Sequence, residues 1–107
     1  MGELKNLEKI SKGFVPKGKY KKISKLKDKK DKIDLFKHAL TSELRIKHLN
    51  FEIKLKKLKN KEKKHLINLK SNIIPSKINL LQTNFNERDF NKIIFSLEKL
   101  EEDLSNA

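Results

Sequence analysis

The sequence predicts an all-α protein: a long central helix, an antiparallel shorter C-terminal helix folded onto it as a coiled-coil-like helical hairpin or small bundle, and a basic N-terminal arm. Three observations carry this. From Asp28 to Asn72 there is neither Gly nor Pro, the residues that most often interrupt regular structure. Apolar residues recur through that stretch at steps of 3, 4 and 4, a helical period. A helix-start signal stands at Asn86 and a heptad-spaced seam follows it.

At 107 residues the chain is at most one small domain by length, and it divides by pattern into 1–27 and 28–107. In the first segment, Leu4, Leu7 and Ile10 fall near one face of a short amphipathic helix over residues 2–11. Gly13, Pro16 and Gly18 follow, so residues 13–30 read as a flexible basic arm with little to bury. The second segment opens on Asp28, Asp31 and Asp34, acids near a helix start where the dipole favours them.

A long helix is expected over about residues 28–72. Positions 33, 36, 40, 44, 47, 51, 55, 58, 62, 66, 69 and 73 are apolar except for Lys47 and Glu62. Their 11-residue repeat keeps one stripe straight along a helix. A second stripe, Leu35, Ile46, Leu49, Ile53 and Ile67, lies roughly opposite at about 100° per residue. One side can take the chain's own later helices; the other suggests a second molecule or the N-terminal helix. The weakest point is KNKEKK, residues 59–64, which has no apolar side chain. A hairpin bent there is the rival, and the lack of Gly and Pro favours the continuous helix.

Pro75 imposes a kink or turn. Ile78, Leu81 and Phe85 then keep helical spacing, giving a helix over about 76–84. With Asn86 as N-cap, Asp89 falls at N3, while Phe85 and Phe90 occupy the two positions of a hydrophobic staple. The helix that follows, about 87–105, carries Phe90, Ile93, Leu97, Leu100 and Leu104 at heptad spacing, widened by Ile94 and Phe95.

Charge is the other strong feature. The chain has a formal net charge of +13, 27 Lys/Arg against 14 Asp/Glu. Residues 1–74 hold 23 of those bases and 8 of the acids; residues 75–107 hold 4 and 6. Only Arg45 and Arg88 are arginine, and Lys, Ile and Asn together are 46 of the 107 residues. These three have the most AT-rich codons, so coding bias accounts for part of the lysine content, though not for the excess of bases over acids. Lys54, Lys56, Lys57, Lys59, Lys61, Lys63, Lys64 and Lys70 spread around all of the long helix that the main stripe leaves free. They read first as a solvated face. Any binding they do is expected to be to phosphate, independent of sequence and sensitive to salt.

Little else carries chemistry. There is no cysteine, which excludes disulfides and thiolate metal sites. His38, His48 and His65 are not i,i+3 or i,i+4 partners, and His38 is expected to pair with Asp34. Glu62 and His65 match half of a di-iron helix pattern whose second copy is missing. No phosphate-binding glycine loop or nucleophile motif is present. Catalytic, cofactor and metal residues are therefore not expected, and the protein reads as a non-enzyme. The first ten residues alternate charge with apolar side chains and do not read as a secretory leader. Asn6 stands where a myristoylation motif needs Ser or Thr. An intracellular, cytoplasmic location is expected.

Two readings of function follow, and a third trails them. The first is a helical interaction and assembly module, docking a protein partner or a second copy through Leu35, Ile46, Leu49 and Ile53. The second is a small basic nucleic-acid-binding protein, such as a component of an RNA–protein particle. Its contacts would come from the arm, where Phe14 and Tyr20 stand among Lys17, Lys19, Lys21, Lys22 and Lys25. Aromatics there could stack bases while lysines meet phosphates; equally, they could pack the arm onto the helices. The third is attachment to an anionic membrane surface through residues 1–15.

Overall fold

Alternating apolar and charged residues from Glu3 onward produce the first helix, and the rest of the chain continues in the same class. The structure, a computed structural model, describes residues 2–106. Among these there are six helices and no strand. Contacts group the chain into two compact units, Met1–Glu43 and Leu44–Ala107, with the boundary inside the longest helix.

In the first unit, α1 spans Glu3–Phe14 and α2 spans Lys17–Ser24. The stretch expected to be a flexible arm is thus largely helical. Pro16 explains the difference. It forces Val15 into extended backbone, φ −91° and ψ 143°, which ends α1. Its own fixed φ of −54° then suits the N-cap of a new helix. The ring that reads as an interruption is a hinge between two helices that pack on each other. Val15 and Ile23 are buried, and the Tyr20 ring lies 5.5 Å from that of Phe36. These side chains supply the burial that the basic stretch was expected to lack.

The third helix, α3, spans Lys29–Lys56, about 42 Å at 1.5 Å per residue. Asp28 stands just before it and its Oδ1 accepts from the Lys30 N–H at 2.9 Å. Within the first unit α3 buries Phe36, Ala39, Leu40 and Thr41. The Thr41 hydroxyl donates to the carbonyls of Lys37 and His38, so its burial leaves no unmet polar group. Lys37 Nζ lies 2.6 Å from Glu3 Oε1 of α1.

In the second unit α3 continues through the buried Leu44, His48, Phe51 and Leu55 and then stops. A fourth helix, α4, begins at Lys61 and runs to Ser71. The single helix expected over 28–72 is therefore two, broken at residues 57–60. Both new ends are satisfied. The Asn60 side chain accepts from the Lys63 N–H at 3.3 Å and caps α4. Lys64 Nζ donates to the carbonyl of Lys56 at 3.3 Å, a cation at the C-terminus of α3 where the dipole favours one.

The break also resets the buried face. On the expected stripe, Leu66, Leu69 and Ile73 are exposed, whereas Ile67, Ser71, Ile74, Ile78 and Leu81 are buried. The fifth helix, α5, spans Ile74–Thr83 with Pro75 in its first turn, where a missing N–H costs nothing. The sixth, α6, spans Glu87–Ser105. Its start is as the sequence predicts. Asn86 Oδ1 accepts from the N–H groups of Arg88 and Asp89 at 2.8 and 3.3 Å, and the Phe85 and Phe90 rings are 5.7 Å apart. α6 packs against α4 and α5, with Phe90, Ile93, Leu97 and Leu100 buried.

Candidate interaction surfaces

The second half of α3 carries apolar residues on two opposite sides. Leu44, Phe51 and Leu55 are buried, together with His48. On the far side, Ile46, Leu49 and Ile53 are 48%, 56% and 47% exposed. At about 100° per residue these three fall within some 60° of one another, nearly opposite Leu55. Lys47 and Lys54 flank the row on one side, together with Glu43, and Arg45 and Lys56 on the other, together with Glu52. Arg45 is held in place: its Nη2 donates to Asn79 Oδ1 at 2.9 Å and to Gln82 Oε1 at 2.6 Å, both on α5. Leu35, the fourth residue expected in this role, belongs to the first unit and is 43% exposed there.

Sequence reasoning missed a further set. Leu66, Leu69 and Ile73 follow helical spacing along and just past α4, and Phe95 stands on α6; each is more than half exposed. Ile73 and Phe95 share a groove of about 260 Å³ rimmed by Lys70, Lys77 and Lys99. Phe95 was legible as a residue beside the seam. The other three could not be found, because they sit on the 11-residue stripe that the break at 57–60 moves out of the core.

Among the arm residues, Lys17, Lys19, Lys21, Lys22 and Lys25 are exposed, while Phe14 and Tyr20 are half-buried. Tyr20 also lines a broad groove of about 810 Å³ with Lys5, Asn6, Glu8, Lys9 and Lys12 of α1. Of the histidines, His38 is exposed and the expected pair with Asp34 is not formed; the His38 backbone carbonyl accepts from the Thr41 hydroxyl at 3.0 Å. The histidine that does pair is His48, whose Nδ1 lies 3.0 Å from Glu52 Oε1. Its Nε2 is buried with no hydrogen-bond partner, and its ring centroid is 6.5 Å from that of Phe51. An imidazole with one ring nitrogen on a carboxylate and the other buried without a partner serves as a packing residue on the buried side of α3.

Among the described residues no group of three or more His, Cys, Asp or Glu side chains could hold a metal ion. Nor is any helix among the described residues long and apolar enough to cross a membrane. What the geometry offers is surface: uncovered apolar rows with basic rims in the second unit, and a basic groove in the first. Compared with protein-family models, with curated proteins and with solved structures, the chain matches none.

Proposed function

We propose that this chain is a non-enzymatic helical assembly module that docks an acidic amphipathic helix of a partner protein onto the outer face of α3. One observation carries the reading: Ile46, Leu49 and Ile53 form an uncovered apolar row on a helix whose opposite side is already packed. A helix that is apolar on two sides keeps water on one of them unless a partner removes it.

Charge selects the kind of partner. The rim around the row carries Arg45, Lys47, Lys54 and Lys56 against Glu43 and Glu52, and the whole chain is at +13. A second copy would bring like rims together, which costs free energy at an interface, whereas an acidic partner would meet complementary potential. The helix-in-groove mode of recognition, with anchors at i, i+3 and i+7, matches the spacing of 46, 49 and 53.

The test has two arms. Sedimentation of the full chain reads its mass, and titration with a synthetic amphipathic peptide reads docking. The peptide carries Leu at i, i+3 and i+7 and Glu on its flanks, and a second peptide has Lys in place of Glu. A monomer that binds the acidic peptide, rejects the basic one and loses binding in Ile53→Asp supports the proposal. A dimer that Ile53→Asp dissociates would replace the acidic partner with a second copy. Binding of both peptides alike, or binding untouched by Ile53→Asp, would remove the face from consideration.

A further inference from the structure

A different surface, in the first unit, has a different chemistry. Along α1, Lys5, Lys9 and Lys12 are spaced by four and three residues and are exposed. That spacing sets them about 6 and 4.5 Å apart along the axis, on one side of the helix. With Gly2, Asn6 and Glu8 they wall a groove that Tyr20 of α2 also lines. The Tyr20 ring packs against that of Phe36, tilted by 37° at 5.5 Å, so it borders the groove as an anchored aromatic rather than a loose one. On α2, Lys17, Lys19, Lys21 and Lys22 are exposed too, and the first turn of that helix has no acid.

We propose that this α1–α2 groove binds single-stranded nucleic acid, with Lys5, Lys9 and Lys12 on phosphates and Tyr20 against a base. Lysines meeting a backbone beside an aromatic surface are the two ingredients of sequence-tolerant single-strand binding. The absence of arginine in the groove agrees with contacts that position without reading sequence.

Two other polyanions fit the site less well. A membrane surface would need apolar side chains to insert, but α1 turns its own inward: Leu7 is buried, and Leu4 and Ile10 are half-buried. An acidic protein would need an apolar anchor at the centre of its contact, and no exposed large apolar side chain lines this groove. Three ammonium groups against the single carboxylate of Glu8 leave the groove net positive.

The experiment measures binding of the full chain to fluorescein-labelled oligouridylate of about 15 nucleotides by anisotropy across a salt series. The variants are Lys5→Gln/Lys9→Gln/Lys12→Gln and, as a charge-matched control, Lys57→Gln/Lys59→Gln/Lys63→Gln. Three lost phosphate contacts should flatten the slope of log K against log salt by about 2, at about 0.7 per contact on a single strand. The groove variant should also lose at least tenfold in affinity at 100 mM salt, and the control should stay within about threefold. Tyr20→Leu keeps an apolar contact for Phe36 and should weaken binding about tenfold with the salt slope unchanged, as loss of stacking does. Tyr20→Phe should bind as the parent does. Circular dichroism confirms that each variant is folded, and the lysine variants, all at exposed positions, carry the test if Tyr20→Leu does not fold. Equal losses in the two triple variants would overturn the proposal in favour of diffuse charge. An unchanged slope in the groove variant would overturn it outright. Tighter, groove-dependent binding to vesicles of equal phosphatidylserine and phosphatidylcholine would assign the site to a lipid surface instead.

Discussion

Phe51→Ala and Ile53→Ala change two residues that are neighbours on α3 yet face opposite ways, and they should differ several-fold in cost. Phe51 is 0% exposed, and truncating a buried Phe leaves a cavity as well as losing its transfer energy, about 3–5 kcal/mol. Ile53 is 47% exposed. Full burial of an Ile is worth about 1.5–3 kcal/mol, so half burial realises roughly 1 kcal/mol. Alanine's better helix propensity returns a few tenths of that, leaving about 0.5–1 kcal/mol. Urea unfolding followed at 222 nm reads both, through midpoints compared at constant m. A protein this small has only about 5–15 kcal/mol in hand, so Phe51→Leu serves as the milder form of the first change, with a cost still above that of Ile53→Ala. If Ile53→Ala proved as costly as Phe51→Ala, the outer face of α3 would be core, and the docking surface argued for it would not exist.

The remaining predictions concern the helix ends and the Arg45 clamp. Asn86→Ala should lower stability by about 1 kcal/mol, since its side chain serves two backbone N–H groups, and Asn86→Asp should restore it. Asn60→Ala should cost less, roughly 0.5 kcal/mol, because it makes one bond at 3.3 Å; denaturant midpoints of the pair would expose a reversed order. Arg45→Ala removes bonds to Asn79 and Gln82, and because those groups are exposed and can turn to water the loss should stay under about 1 kcal/mol. Hydrogen exchange of the α5 amides should nevertheless quicken in that variant, and unchanged exchange would mean the clamp holds nothing.

Where local chemistry is complete, the sequence is enough. Asn86, Asp89, Phe85 and Phe90 all act at one helix end, within reach of one another along the chain, and no distant contact is needed to decide the outcome. The outer row of α3 was legible for a related reason: Ile46, Leu49 and Ile53 share a face of an uninterrupted helix. The arm was less legible. Gly13, Pro16 and Gly18 do loosen local structure, but whether residues 17–24 form a helix depends on Ile23 being buried and on Tyr20 meeting Phe36, sixteen residues away. Neither contact can be read from the stretch itself.

The break at 57–60 shows the same competition at its sharpest. Eleven-residue spacing argues for one straight helix through this point, and nothing in residues 57–60 forbids it sterically. Continuity, however, has to be held by packing, and residues 59–64 present no apolar side chain to any neighbour. Against that stands a locally satisfied alternative, with Asn60 on the Lys63 N–H and Lys64 on the Lys56 carbonyl. Beyond the break a second pattern takes over: 67, 71, 74, 78 and 81 are spaced by 4, 3, 4 and 3 and are all buried, running through Pro75. Two overlapping apolar registers are therefore written into residues 66–81, and only one can face inward. Burying Ile67, Ile74, Ile78 and Leu81 beneath α6 leaves Leu66, Leu69 and Ile73 in water. The uncovered apolar row of α4 is thus the direct consequence of ending α3 at Lys56. Restoring continuity, for example by Lys59→Leu with Asn60→Ala, should draw that row inward and reduce dye binding to exposed apolar surface. Unchanged dye binding in a variant shown to be more helical would separate the two events.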